Sequence, residues 1–258
     1  MTEYGSKMTT NKFKLKSKIF GVYAITIFLL CVLLAIIGVI FLPTLTLRRK
    51  WVKKFANLVF ILSGINVETN GLENIPDSHA IIVANHASYI DGIILHAVLP
   101  TKFTFVIKSE MKTVPLANFL FRRVGSRYVE RFKRKGTFRD ARKLIKAGAD
   151  GESLAIFAEG TFTEKPGLHP FRMGAFLTAK KSKIPLIPTV IRGSRDILAA
   201  DKYLPSRGNI EVKILEAVHQ NDTVYRSGRE LRDICREQIL KNLGEPDLQE
   251  ESSLNKEG

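Results

Sequence analysis

Hydrophobic and polar positions divide the 258-residue chain into unlike stretches. A polar, basic opening carries Lys7, Lys12, Lys14, Lys16 and Lys18, and residues 19–42 then run for 24 positions without one charged side chain. As a helix this run would reach roughly 36 Å, more than the ~30 Å hydrocarbon core of a bilayer. A cleaved signal has an apolar part of only about 7–15 residues and then small residues; here Pro43-Thr-Leu-Thr-Leu follows. The run is therefore expected to be membrane-embedded. Arg48, Arg49, Lys50, Lys53 and Lys54 match the five lysines ahead of it, so charge alone does not orient it. It either spans or dips in and returns. Next, Trp51, Phe55, Leu58, Val59 and Leu62 recur at helical spacing with Lys53, Lys54 and Asn57 between them, and Gly64 closes the segment. Such a helix lies in the membrane interface or faces the core of the following domain.

From residue 65 the pattern changes to short apolar runs alternating with amphipathic ones. Strands are expected over 65–69, 80–84, 103–107, 127–130, 154–158, 186–191 and 210–215, and helices over 92–98, 114–124, 136–147, 173–183 and 228–243. Ser227-x-x-Glu230 starts the last helix, and Gly244-x-Pro246 stops it. This alternation predicts an α/β domain over 65–244, a mixed sheet flanked by helices and preceded by a membrane-embedded helix pair. The polar residues 245–258 are expected to be a disordered tail.

The balance of 40 Lys and Arg against 25 Asp and Glu gives a net charge of +15, which favours anionic partners: phospholipid head groups, a phosphorylated substrate or nucleic acid. The two cysteines, Cys31 and Cys235, suggest a reducing compartment and no structural disulfide. No metal-type Cys/His spacing occurs.

Candidate chemistry begins where the apolar run Ile81-Ile-Val-Ala stops at Asn85-His86, with Asp91 five residues after the histidine. A strand-to-helix junction here can return Asp91 to one ring nitrogen of His86 and leave the other free, as a general base requires. Ser88-x-x-Asp91 is equally a capping-box pattern, and His86 alone could be structural. Lys108 follows one strand and Arg131 another, places suited to holding phosphate, although most of the 40 cations must lie on solvated surface. A further strand ends in Glu159-Gly160-Thr161-Phe162, placing a carboxylate, a permissive backbone and a hydroxyl at the sheet edge; an ordinary strand exit reads the same way. Pro185-x-x-Pro188 reads as architectural, since proline is tolerated at strand starts and edges.

Taken in order, His86-x4-Asp91, Gly125-x5-Arg131, Glu159-Gly160-Thr161 and Pro185-x-x-Pro188 resemble the four motif blocks of the 1-acylglycerol-3-phosphate acyltransferases, a glycerolipid acyltransferase family. The likeness covers about residues 65–220. It implies the glycerolipid-acyltransferase fold and transfer of a fatty acyl group from acyl-CoA or acyl carrier protein to a lysophospholipid hydroxyl, lysophosphatidate to phosphatidate. It implies His86 as base, Asp91 as its orienting carboxylate, and Lys108, Arg131, Glu159, Gly160 and Thr161 on the substrate side. Phe162 stands where the family's third block is similar to Glu-Gly-Thr-Arg, so a cation is missing; Arg172 is a candidate to supply it, and another head group is a second reading. No metal or prosthetic group is implied, CoA being a substrate. Membrane phospholipid is the expected surround, nucleic acid is not expected, and the domain is expected on the cytoplasmic face of the inner membrane. The rival from another class is a non-enzymatic, membrane-tethered binder of anionic lipid or nucleic acid that uses charge alone. Its binding would collapse with salt and ignore loss of His86.

Overall fold

The computed structural model describes residues 3–130 and 134–249. In chain order the helices are α1 (Glu3–Phe41), α2 (Leu45–Ser63), α3 (Asp91–Val98), α4 (Pro115–Arg123), α5 (Arg134–Ala149), α6 (Gly174–Ser182), α7 (Ser194–Ile197) and α8 (Gly228–Leu243). The strands are β1 (Asn66–Asn70), β2 (Ile81–Ala84), β3 (Phe103–Lys108), β4 (Arg127–Val129), β5 (Ser153–Phe157), β6 (Leu186–Arg192) and β7 (Asn209–Ile214). Each strand expected from the sequence is present, within one or two residues at its ends. The short α7 carries no apolar period to announce it.

The strands form one sheet in the order β1-β7-β6-β2-β5-β3-β4. β6, β2, β5, β3 and β4 run parallel, while β7 is antiparallel to β6 and carries β1 parallel beside it. Both faces of the centre are covered, so β2 is apolar without alternation. Ile82 and Ala84 face a core shared with α2 and α3, and Ile81 and Val83 face a second core shared with α5, α6 and α8. Pro188 lies in β6, an interior strand rather than an edge. It is tolerated because the β7 ladder begins only at Thr189, while the Pro188 carbonyl still accepts from the Leu215 N–H.

α1 extends the expected apolar run back through the basic opening, and within it Leu15–Phe41 is long and apolar enough to cross a membrane. Its small residues Ala24, Cys31 and Ala35 are buried, while Leu29, Leu30, Leu33, Ile37 and Ile40 are exposed. An uninterrupted apolar face of that size suits lipid rather than water. Gly38 permits the tightest approach to α2: a Cβ there would lie 1.9 Å from Nε1 of Trp51, whose N–H donates to the Leu34 carbonyl at 3.0 Å. Thr44 caps the start of α2 and Gly64, in the left-handed region, closes it.

Of the two placements open for α2, the structure shows the one against the domain: Ala56 and Phe60 join the core with β2 and α3, and polar residues bond beside them. Lys53 donates to the carbonyls of Val98 and Leu99 (3.0 and 2.9 Å), and Asn57 donates to that of Ala97 (3.0 Å). These are the free carbonyls at the C-terminal end of α3, where a cation also meets the negative end of the helix dipole. Arg49 bonds the Val124, Thr101 and Lys102 carbonyls and the Thr104 hydroxyl. Basic residues of α2 thus fasten it to the sheet domain. A Gly38→Ala substitution should drive the indole off α1 and cost about 1–3 kcal/mol, measured as a lower midpoint of thermal unfolding in detergent; Trp51→Leu in the same chain should recover most of the loss.

Candidate active site

The parallel strands deliver the candidate residues to one edge, that of their C-terminal ends. Beyond Ala84 the chain must leave the sheet, and Asn85 sets the place. Its side-chain Oδ1 accepts from the Ile191 N–H (2.8 Å) and its Nδ2 donates to the Ile191 carbonyl (2.9 Å), so a buried carboxamide supplies one more rung to β6. His86 emerges directly after it.

Asp91 opens α3 and is fully buried. Its Oδ2 sits 2.9 Å from His86 Nδ1 and accepts the backbone N–H groups of Ala87 (2.7 Å) and Ser88 (2.8 Å). The two readings of Ser88-x-x-Asp91 therefore coexist in one atom: the oxygen that holds the imidazole also makes half a capping box. The reciprocal half is displaced by one residue: the Ser88 hydroxyl accepts the Ile90 N–H (3.3 Å) rather than that of Asp91, and donates to the Leu198 carbonyl. A carboxylate oxygen can only accept, so Nδ1 carries the proton and Nε2 is the nitrogen left to act. The His86 side chain keeps 16% of its surface exposed. Phe157 stacks on the imidazole (centroids 4.1 Å apart, planes at 14°), Phe162 closes from another side at 4.5 Å, and Tyr89 meets Phe162 edge-on at 4.9 Å. Apolar rings thus wall the imidazole on two sides.

Glu159 is turned inward rather than toward the rim. Its Oε1 accepts the His86 N–H (2.7 Å) and its Oε2 the His169 N–H (2.8 Å), which ties β2's exit to the loop leading to α6. Burial pushes its carboxyl up from an ordinary 4.5 to about 8, against the pull of those two donors. Gly160 turns the chain with φ +76°, in the left-handed region that glycine tolerates, and Thr161 is exposed beyond it. Arg172 precedes α6 by two residues; its N–H donates to the Ala158 carbonyl (2.8 Å) and its Nε to that of Glu159 (3.3 Å), while the residue stays exposed. Lys108 is exposed at the end of β3, beside β5. Arg131 lies outside the described residues. His86, Asp91, Glu159, Gly160 and Arg172 thus share one hydrogen-bonded corner, with Thr161 at its rim and Lys108 one strand beyond it.

Residues 66–192 match the acyltransferase family model. They form an acyltransferase-family domain. Relatives include a 1-acyl-sn-glycerol-3-phosphate acyltransferase of Saccharomyces cerevisiae, 27% identical over 74% of this chain and 64% of the relative. One from Borreliella burgdorferi is 25% identical over 70% and 73% of the two chains. A putative one from Caenorhabditis elegans, acl-1, is 31% identical over 60% of each. The chain thus spans less than two thirds of the yeast and nematode proteins. The crystal structure of PlsC, the 1-acyl-sn-glycerophosphate acyltransferase of Thermotoga maritima, superposes with a TM-score of 0.75 at 22% identity, over 89% of this chain and 95% of that one. That likeness establishes the fold.

One support of the acyltransferase corner lay outside any motif. Residues 245–249, expected to start a disordered tail, form a strap across the loop between Gly160 and Arg172. Glu245 accepts the Gly167 N–H (2.7 Å) and both arms of Arg195 (3.0 and 3.1 Å), and Arg195 also donates to the Thr163 carbonyl (2.9 Å). Leu168 pairs with Pro246 and Leu248 through the backbone. Arg236, nearly buried, holds Asp247 with two bonds (2.7 and 2.6 Å), which keep that carboxyl below its ordinary range, and also reaches the Leu168 carbonyl. Acidic residues just past a helix-stopping glycine were the sequence signal. The partners of Glu245, Gly167 and Arg195, are far away in sequence and were not readable.

Two outcomes follow from these bonds. Removing the Glu245 carboxylate strands the Gly167 N–H and Arg195, so Glu245→Ala should cost about 1–3 kcal/mol and speed proteolysis within residues 161–170, as read by limited digestion. Glu159 binds its proton more tightly folded than unfolded, so its stabilising share is complete below about pH 4.5 and is lost as pH rises through about 8. Thermal unfolding followed across that window should show this fall in wild type and lose it in Glu159→Gln.

Proposed function

We propose that the chain is an O-acyltransferase that moves a fatty acyl group from acyl-CoA or acyl carrier protein to the free hydroxyl of lysophosphatidate, giving phosphatidate. The observation that carries this reading is the imidazole of His86, held at Nδ1 by Asp91 with Nε2 free at the ligand-bearing edge of an acyltransferase-family sheet. The relatives' names supply the acceptor. An alcohol is a poor nucleophile at neutral pH. Nε2 takes the hydroxyl proton as the oxygen attacks the thioester carbonyl; the C–O bond forms, the C–S bond breaks, and the proton passes to the departing thiolate. Asp91 steadies the ring and the transient imidazolium. Ser88, the nearest hydroxyl to the pair in sequence, gives its proton to Leu198, and both cysteines are buried; transfer is therefore direct, without an acyl-enzyme. Lys108, Arg131 and Arg172 are the cations assigned to the acceptor phosphate. The apolar α1 supports a place at the membrane, which we assign to the cytoplasmic face because the carriers of acyl thioesters are soluble there.

Phe162 favours a second reading of the acceptor. It lies against His86 where the family motif has a cation, so a lysolipid with another head group would be accommodated.

The test is transfer of a labelled acyl chain from acyl-CoA to lysophosphatidate by the detergent-solubilised protein, repeated with acyl carrier protein and with lysolipids of other head groups. His86→Ala and Asp91→Asn should each lower kcat by about a hundred- to ten-thousand-fold, and no acylated protein should be trapped. Arg172→Ala should raise KM for acceptor with little change in kcat. Activity that survives loss of His86 would remove the proposed base, and a trapped acyl-protein would remove direct transfer.

A further inference from the structure

We infer that α4 is a further membrane-contacting element, laid against the surface of an anionic bilayer beside α1; this rests on the reading of α1 as lipid-facing. α4 buries none of its side chains fully, an unusual state for a helix between two strands of a parallel sheet. Covering the sheet is therefore not its full role. Leu116 is 66% exposed and Phe119 40% exposed, and Val114 just ahead of the helix is exposed as well. Large apolar side chains at adjoining positions on one helix surface are costly in water.

What covers them is indicated by the neighbour. Leu120, one turn beyond Leu116 on the same face, packs into the cluster that Cys31, Ala35 and Val39 of α1 make with Val52, Phe55 and Val59 of α2. Arg123 donates to the Val39 and Ile40 carbonyls, the unpaired acceptors at the C-terminal end of α1. The stripe Leu116–Leu120 thus continues onto the end of α1 that exposes Ile37, Ile40 and Phe41. Lys112 and Arg122 flank it, both exposed, with Lys112 also lying over the Tyr128 ring. An apolar stripe between basic residues is the pattern of a helix lying in a membrane interface, with the cations toward lipid phosphates. A second copy of the chain would have to displace lipid from the adjoining face of α1.

The consequence is geometric. α4 connects the C-terminal end of β3, where Lys108 stands, to the start of β4. Seating α4 on lipid brings that edge of the sheet to the bilayer surface, so a lysolipid can reach His86 without leaving the membrane entirely.

Site-directed spin labelling tests this in the full chain reconstituted into phosphatidylglycerol–phosphatidylcholine vesicles. Labels go on Leu116→Cys, Phe119→Cys, Ile37→Cys for the α1 face and Lys181→Cys for the far side of the sheet, the native cysteines being buried. Collision with oxygen, which partitions into lipid, is compared with collision with a water-soluble nickel chelate. The expected oxygen-to-nickel ratio at 116 and 119 is several-fold above that at 181 and close to that at 37. A ratio at 116 and 119 equal to that at 181, while 37 stays lipid-like, would overturn the inference about α4 alone. Nickel access at 37 as well would overturn the reading of α1 with it. Protection of 116 and 119 from both reagents would assign the face to a protein partner and overturn the inference too.

Discussion

One carboxylate oxygen holds the site together. Asp91 Oδ2 receives the His86 ring and two successive backbone N–H groups, from inside the core and at the first residue of α3. A buried charge must be compensated, and these three donors do so while shaping the loop between β2 and α3. The other oxygen, Oδ1, has no hydrogen-bond partner among the described residues, so among them the compensation falls on Oδ2. The turn and the imidazole are consequently not separable: a chain that loses this oxygen loses the ring's orientation and the helix start together. Asn85 and Glu159 extend the same scheme outward, the first fixing where β2 ends against β6, the second joining the His86 backbone to the loop before α6.

The rest of the molecule serves to keep that edge in place. Parallel strands with both faces covered put every strand exit of the central sheet on one side, so residues far apart in sequence meet there. The strap of Glu245 to Leu248 secures the loop that carries Phe162, and Phe162 in turn walls the imidazole. On the opposite flank α2 is locked to the domain by Arg49, Lys53 and Asn57, which spend their polar groups on carbonyls that would otherwise be unpaired. The apolar α1 is thereby held in a fixed relation to the sheet. On the proposed function, with lipids as acceptor and product, such a rigid link lets the fold set the distance of the base from the bilayer.

Much of this was legible in the sequence because it rests on short-range pattern. The seven strands follow from apolar runs and the helices from their period. His86 and Asp91 are close in sequence, so the strand-to-helix junction alone brings them together. Glu159 shows where local reading ends: a carboxylate at a strand exit is expected to face a ligand, and its inward turn depends on two N–H groups supplied by residues 86 and 169. The basic face of α2 misleads for the same reason, since Lys53 and Asn57 look solvated until the end of α3 is placed beside them. The residues after Gly244 read as a tail because Arg195 and Arg236, which hold them, lie on other elements.

The measurement that bears most directly on the central claim is the protonation of the His86 ring. Nitrogen-15 spectra of the protein labelled in histidine, with His86 assigned from a His86→Gln variant, report the two ring nitrogens separately. At a pH where the imidazole is neutral, the expected spectrum has the proton on Nδ1, coupled across the bond to Asp91, and a bare Nε2; Asp91→Asn should abolish that preference. A neutral ring protonated at Nε2 would leave no nitrogen free to take a proton from the acceptor hydroxyl, and would contradict the assignment of this pair as the catalytic base.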